Sequence, residues 1–131
     1  MSVEERHREI ARRLWDAAST GDPDPVLQFH PQVIWRSYGS SPSAGTYRGI
    51  DEVLHYLSSS GESVEDMHSE LVEILVSGLG AILHYRTSAR RGPKQLECQF
   101  FLWLRIENGV VCEVAAVPWD QAANDAFWRL E

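Results

Sequence analysis

Hydrophobic residues recur at two different periods along this chain, and the change of period divides it. Over residues 3–19, Ile10, Leu14, Ala17 and Ala18 fall on one side of a helix, with arginines and glutamates opposite and Trp15 beside the stripe. Gly21-Asp22-Pro23 stops that helix. Asp24-Pro25 starts a short second helix through Phe29, since proline suits a first turn, and Pro31 ends it. Val33, Ile34 and Trp35 open a first strand. Residues 37–49, rich in Gly, Ser and Pro, read as a long loop or loose hairpin. Asp51 caps a third helix over 51–59, with Val53, Leu54 and Leu57 as its expected buried residues. Beyond residue 66 the period becomes two. Strands are predicted over 67–76, 80–90, 95–107 and 110–119, with a short closing helix carrying Phe127 and Trp128. Helices followed by a meander of long strands make an α+β domain, and nothing in residues 1–131 marks a second domain or a linker.

Asn108-Gly109 is a strong hairpin signal, because both turn residues must accept positive φ. A two-residue turn there pairs Glu107 with Val110 and Ile106 with Val111. An unbroken ladder then pairs Leu104 with Glu113, Leu102 with Ala115, Phe100 with Val117 and Cys98 with Trp119. Side chains alternate with period two, so these residues share one face with Ala81, Leu83, Tyr85 and Thr87. That face is apolar except for Glu113, and it is expected to turn inward. The opposite face holds Ile82, His84, Arg86, Phe101, Trp103, Cys112, Val114 and Ala116. It is also largely apolar, which predicts a homodimer through Phe101, Trp103 and Val114.

Bulk properties narrow the function classes. The net charge of -7 argues against nucleic acid and anionic membrane surfaces as partners. No apolar run is long enough to span a bilayer, and the charged start, Met1 to Arg13, lacks a signal-peptide core, so a cytoplasmic location is expected. Cys98 and Cys112, on opposite faces of this register, make no disulfide framework. Five tryptophans in 131 residues fill a core or wall a pocket for a flat apolar ligand. No metal-ligand spacing and no phosphate-binding glycine loop occurs, so the expectation is cofactor-free chemistry.

Several landmarks together resemble a known family. They are Thr20-Gly21-Asp22 after the first helix, Val33-Ile34-Trp35, and Ala44-Gly45-Thr46-Tyr47-Arg48-Gly49. Long strands with Arg105-Ile106-Glu107-Asn108-Gly109-Val110-Val111-Cys112-Glu113 follow, then Asp120 and Ala126-Phe127-Trp128. This order resembles the SnoaL-like branch of the nuclear transport factor 2-like superfamily, over nearly the whole chain. The resemblance implies a cystatin-like fold, a cone-shaped curled antiparallel sheet packed on N-terminal helices with one pocket. It also implies a tendency to dimerise and a range of functions, from isomerases, cyclases and dehydratases to epoxide hydrolases and non-catalytic adaptors. Relatives often place a pocket histidine where this chain has Arg36, so histidine-based chemistry does not carry over.

Glu113 is the leading catalytic candidate, since desolvation on an apolar face raises a carboxyl toward the range of a general acid or base. Arg36 is expected to orient an oxygen, or to neutralise Glu113 structurally. Tyr85 is a hydrogen-bond donor to a carbonyl or enol. Trp35, Tyr38, Tyr47, Phe100, Leu102 and Trp119 are expected to line the substrate site. Asp120, the family's recurring acid, reads as a helix cap. His68 and Glu70 read as a rim pair on the inner side of their strand, alongside Val72 and Ile74. Three readings follow. The first is a cofactor-free isomerase, cyclase or dehydratase for an apolar carbonyl-bearing molecule such as a polyketide-type intermediate. The second is a non-catalytic ligand-binding or dimerisation module. The third is an epoxide hydrolase or epoxide-opening cyclase.

Overall fold

The computed structural model describes residues 2–20, 29–40, 42, 44–59 and 65–129. Helix α1 (Val3–Thr20) leads into β1 (Phe29–Ser37), β2 (Gly45–Arg48) and α2 (Ile50–Ser59). Then come β3 (Glu65–Ser77), β4 (Gly80–Arg91), β5 (Lys94–Glu107), β6 (Val110–Pro118) and α3 (Gln121–Trp128). The helix expected over 24–29 lies outside the described residues except for Phe29, which opens β1. The glycine-rich stretch after β1 contains a strand of its own, β2, paired antiparallel with β1 through Trp35 and Tyr47.

The six strands form one sheet in the order β2-β1-β6-β5-β4-β3. β1 runs parallel to β6, and the other pairs are antiparallel. The expected cone of curled antiparallel strands is therefore corrected. The sheet is mixed and open, with β2 and β3 as its two edges. The reason is connectivity. Hairpin turns dictate only sequential neighbours, whereas β1 reaches β6 from the other end of the chain, in the same direction.

The Asn108-Gly109 turn forms as predicted, with φ of 51° and 80°. It pairs Glu107 with Val110 and Ile106 with Val111. The ladder then slips: Arg105 faces Glu113, Leu104 faces Val114 and Leu102 faces Ala116. Cys112 is the extra residue, a β-bulge that reverses the parity of everything after it. Val114 and Ala116 turn inward, while Glu113, Ala115 and Val117 turn outward. Val114 and Leu104 are fully buried, which confirms the direction.

The inner face packs under the helices. Ile10, Ala11 and Leu14 of α1 meet Val33, Leu83, Leu104 and Val114 in one core. The half-buried Trp15 packs against it. His7, also buried, places Nδ1 2.8 Å from the Ser77 carbonyl. In α2 the buried residue is Val53, and the half-buried Tyr56 packs on the core. Leu54 and Leu57, expected inside, are exposed. Helix α3 seats Phe127 on Ala89, Leu96 and Cys98 at the other end of the sheet. Gly80 permits the close crossing of β4 and β5, since a Cβ there would stand 1.8 Å from the Leu104 carbonyl oxygen.

The bulge makes a deletion prediction. Without Cys112, residues Val111, Glu113 and Val114 still alternate inward, outward and inward. That variant should fold, with a urea unfolding free energy within about 2 kcal/mol of the parent. Deleting Ala115 instead drives Ala116 outward and Val117 inward. It should be the more destabilising deletion in the same measurement.

Candidate functional site

The inner face carries two groups of aromatic rings in contact. Trp15 lies 5.2 Å from Tyr85, ring centre to ring centre, and Tyr85 stacks on Phe100 at 5.6 Å. Trp35 lies 5.9 Å from Tyr56, which stacks on Tyr47 at 4.3 Å. β1 places Trp35 and Ser37 on the same side, two residues apart, and the Ser37 hydroxyl lies 2.8 Å from the Tyr56 hydroxyl. Leu102 and Ala116 pair across β5 and β6 on this face.

Two polar tips in this cluster stand out. Trp35 is 7% exposed, and its indole Nε1 has no hydrogen-bond partner among the described residues. A buried donor left unmade costs about 1–3 kcal/mol, so such a group is uncommon in a finished core. The second is the Tyr85 phenol. Burial, reinforced by Tyr56 and then Cys98, pushes it far above its ordinary value. It therefore stays protonated and can donate. Burial followed by the neighbouring Tyr56 also raises Tyr47.

Of the residues predicted for the site, Trp35, Tyr47, Tyr85, Phe100 and Leu102 lie on the covered side of the sheet. Glu113 and Arg36 do not. The Cys112 bulge sets Glu113 on the outer face, opposite Arg105, with Arg36 nearby on β1. Glu113 lies 3.8 Å from Arg36 and 3.4 Å from Arg105, with its side chain 27% exposed. It is a partly solvated carboxylate held by two guanidinium groups. A lone acid on an apolar face, the basis for giving it a catalytic role, is absent. Arg105 also binds Glu107, and the hydrogen bond to Glu107, followed by that carboxylate's charge, raises the arginine further.

Tyr38 is half exposed beyond the end of β1, where its carbonyl accepts from Gln121. Trp119 is 76% exposed and its ring lies 6.0 Å from Phe101, so it belongs to the outer face. Val114, expected on a dimer face, is core. His68 and Glu70 sit opposite Ser88 and Arg86 on the outer side, while Ser69 and Leu71 of β3 turn inward. Asp120 caps α3, accepting from the Ala123 amide at 3.0 Å.

Three members of the cluster were missed. Tyr56 follows Val53 by three residues, a helical spacing that marks the same face. Trp15 borders the α1 stripe. Ser37 continues the alternation of Val33 and Trp35. The buried carboxylate Asp125 also gave no signal. It accepts from Ser40 and Gln121 and ties α3 to the exit of β1.

Two surface grooves flank the sheet. One, of about 640 Å³, runs between α1 and β3 and shares Trp15 and Leu71 with the core. The other, of about 490 Å³, lies beside Trp119, Arg86 and Glu70. Neither includes Trp35, Tyr56 or Tyr85. Among the described residues no three His, Cys, Asp or Glu side chains are placed to hold a metal. No helix among them is long and apolar enough to cross a membrane.

Comparison with known proteins agrees with this architecture. An uncharacterised protein of Mycobacterium tuberculosis is 26% identical over 123 residues, covering 92% of this chain and 94% of its own length. Among solved structures, Bal32a from a soil-derived mobile gene cassette superposes with a TM-score of 0.90 at 27% identity, covering 98% of this chain and 100% of its own. A candidate SnoaL-like polyketide cyclase from Jannaschia sp. CCS1 has a TM-score of 0.79 at 12% identity, covering 100% and 97% respectively, and shares the fold alone. The family model of the SnoaL-like domain matches residues 11–114, from α1 through the core of β6, and the chain belongs to that family, within the nuclear transport factor 2-like superfamily.

Proposed function

We propose that the inner face binds a flat, largely apolar small molecule and acts on it by cofactor-free acid–base chemistry, as an isomerase, cyclase or dehydratase. The observation that carries this reading is the Tyr85 phenol, which burial keeps neutral, packed between Trp15 and Phe100 on the face that also holds Trp35 and Tyr56. Flat apolar ligands gain most from such a surface. The superfamily includes cofactor-free enzymes, which supports the chemistry. Tyr85 takes the place given to Glu113 as the group that meets the ligand's oxygen, donating a hydrogen bond from a phenol that burial keeps protonated. Glu113 and Arg36, on the outer face, serve structure.

A non-catalytic ligand-binding module is the second reading. It is favoured by the neutralisation of Glu113 and by inward strand positions that carry no carboxylate. The epoxide-opening reading needs paired carboxylates at one water, and these strands supply none to the inner face. A second copy of the chain is proposed to cover the outer face at Phe101, Trp103, Val117 and Trp119, where Val117 and Trp119 are exposed. A cytoplasmic setting suits the two free cysteines.

Titration with 2-ethylnaphthalene should quench tryptophan fluorescence saturably. Ala116→Leu, which adds bulk beside Leu102, should weaken that binding tenfold or more. Glu113→Gln should leave it unchanged; a large loss with Glu113→Gln would return Glu113 to the site. Raising the pH gives an independent check on Tyr85. Below about pH 10 the phenol is neutral in both folded and unfolded chains. Above it only the unfolded chain releases the proton, so stability falls as pH rises. Tyr85→Phe should flatten that fall in urea titrations between pH 9 and pH 11. For the outer face, sedimentation equilibrium should show a dimer that Trp103→Glu converts to monomer.

A further inference from the structure

We infer that small apolar molecules reach the Tyr85 phenol through the groove between α1 and β3, and that the Trp15 ring is the gate between the two. The inference rests on the inner-face reading above and supplies the route which that reading needs.

Both surface grooves stop short of Tyr85 itself. The groove between α1 and β3, however, ends on two side chains that cover it. Trp15 lines this groove, and its ring lies 5.2 Å from that of Tyr85. Leu71 lines it as well, and Leu71 is the residue paired with Tyr85 across β3 and β4. Together with Ile74 they make an apolar wall packed directly on the core. The groove's volume of about 640 Å³ lies within the roughly 300–1,000 Å³ of small-molecule sites. The ladder is also interrupted at this place. β3 is an edge strand, and its pairing with β4 skips Val72, which stands exposed in the groove next to Leu71. A bulge leaves its residue unpaired and bends the strand locally.

The rim of the groove is charged, but its charges are engaged. Arg12 pairs with Asp16 at 3.4 Å and Arg13 with Glu9 at 3.2 Å. Glu73 is held by His84, and Arg8 donates to the Ile74 carbonyl. Glu5, the remaining lining charge, is exposed to solvent. An uncharged molecule moving along the apolar wall therefore breaks no ion pair and takes no charge out of water.

Other approaches to the inner face are closed by more. Under α3 a ligand must withdraw Phe127, buried on Ala89, Leu96 and Cys98. It must also part Arg91 and Lys94 from the carbonyls of Ala126, Phe127 and Arg129, and Asp125 from Ser40 and Gln121. Under α2 it must withdraw the fully buried Val53 and separate the Ser37 and Tyr56 hydroxyls. At the groove one half-buried ring turns aside from Tyr85 while the backbone stays in place. Side-chain rotation is faster than the movement of a whole element.

The test separates rates from affinity. Stopped-flow mixing of the full chain with 2-ethylnaphthalene reads association and dissociation, and titration reads Kd. Val72→Tyr, which fills the groove beside Leu71, should slow both rates about tenfold and leave Kd within about threefold. Trp15→Leu, which removes the gate, should raise the association rate about fivefold or more, whatever its effect on Kd. Arg91→Ala combined with Lys94→Ala, which releases the C-terminal end of α3, should leave both rates within about twofold. Should one groove variant fail to fold, the other still reads the route. Association that is faster in the α3 variant overturns the inference and moves the route under α3. An association rate that neither groove substitution alters overturns it as well. So does a Kd raised about tenfold by Val72→Tyr, since the ligand then rests in the groove instead of passing through it. If 2-ethylnaphthalene does not bind the parent chain at all, the inner-face reading fails and the route falls with it.

Discussion

Between Val111 and Glu113, β6 carries one residue more than β5 can pair with. That residue, Cys112, sets the direction of every side chain from there to Pro118. It puts Val114 and Ala116 under the helices and sends Glu113 out to two arginines. A regular ladder would bury Glu113 against Leu104, on the face away from Arg36 and Arg105. Burying a carboxylate without a partner costs several kcal/mol, far more than the pairing lost at one bulge. The bulge is thus what keeps Glu113 off the inner face.

The parallel contact of β1 with β6 is the second condition. It brings Trp35 beside Val114 and Ser37 beside Ala116. Val114 in turn pairs with Leu104, and Ala116 with Leu102. Tyr56 then closes over Trp35 from α2. The aromatic cluster is assembled from α1, α2, β1, β4 and β5, so no single stretch of sequence contains it.

Much of this was legible in the sequence where the signal is local. The bounds of α1 and of the long strands follow from periodicity, and the first two pairs of the last hairpin follow from Asn108-Gly109. The face shared by Leu83, Tyr85, Phe100 and Leu102 also holds, because the Arg91-Gly92-Pro93 turn keeps β4 and β5 in regular register. The failures have physical causes. A bulge at Cys112 has no glycine or proline to announce it, and a slip of one residue exchanges the two faces. The β1–β6 pairing joins residues nearly eighty positions apart, beyond any turn chemistry. On α2, Leu54 and Leu57 outweighed Tyr56 by hydrophobicity alone. The helix nevertheless turns Val53 and Tyr56 to the sheet, because that face meets β1 and β2.

The two faces of the sheet satisfy their polar groups by different means, and the difference bears on function. Outside, ions meet ions or ionisable partners: Arg36 and Arg105 with Glu113, Arg90 with Asp66, His84 with Glu73. In that solvated setting such pairs contribute about 0–1 kcal/mol each and fix little beyond register. Inside, neutral hydroxyls pair with one another, which needs no counter-charge and leaves the dielectric low. A hydrogen bond made in such a place is stronger than the same bond at the surface. The buried carboxylate Asp125 is the exception: at the exit of β1 it is held by the Ser40 hydroxyl and the Gln121 amide rather than by a cation.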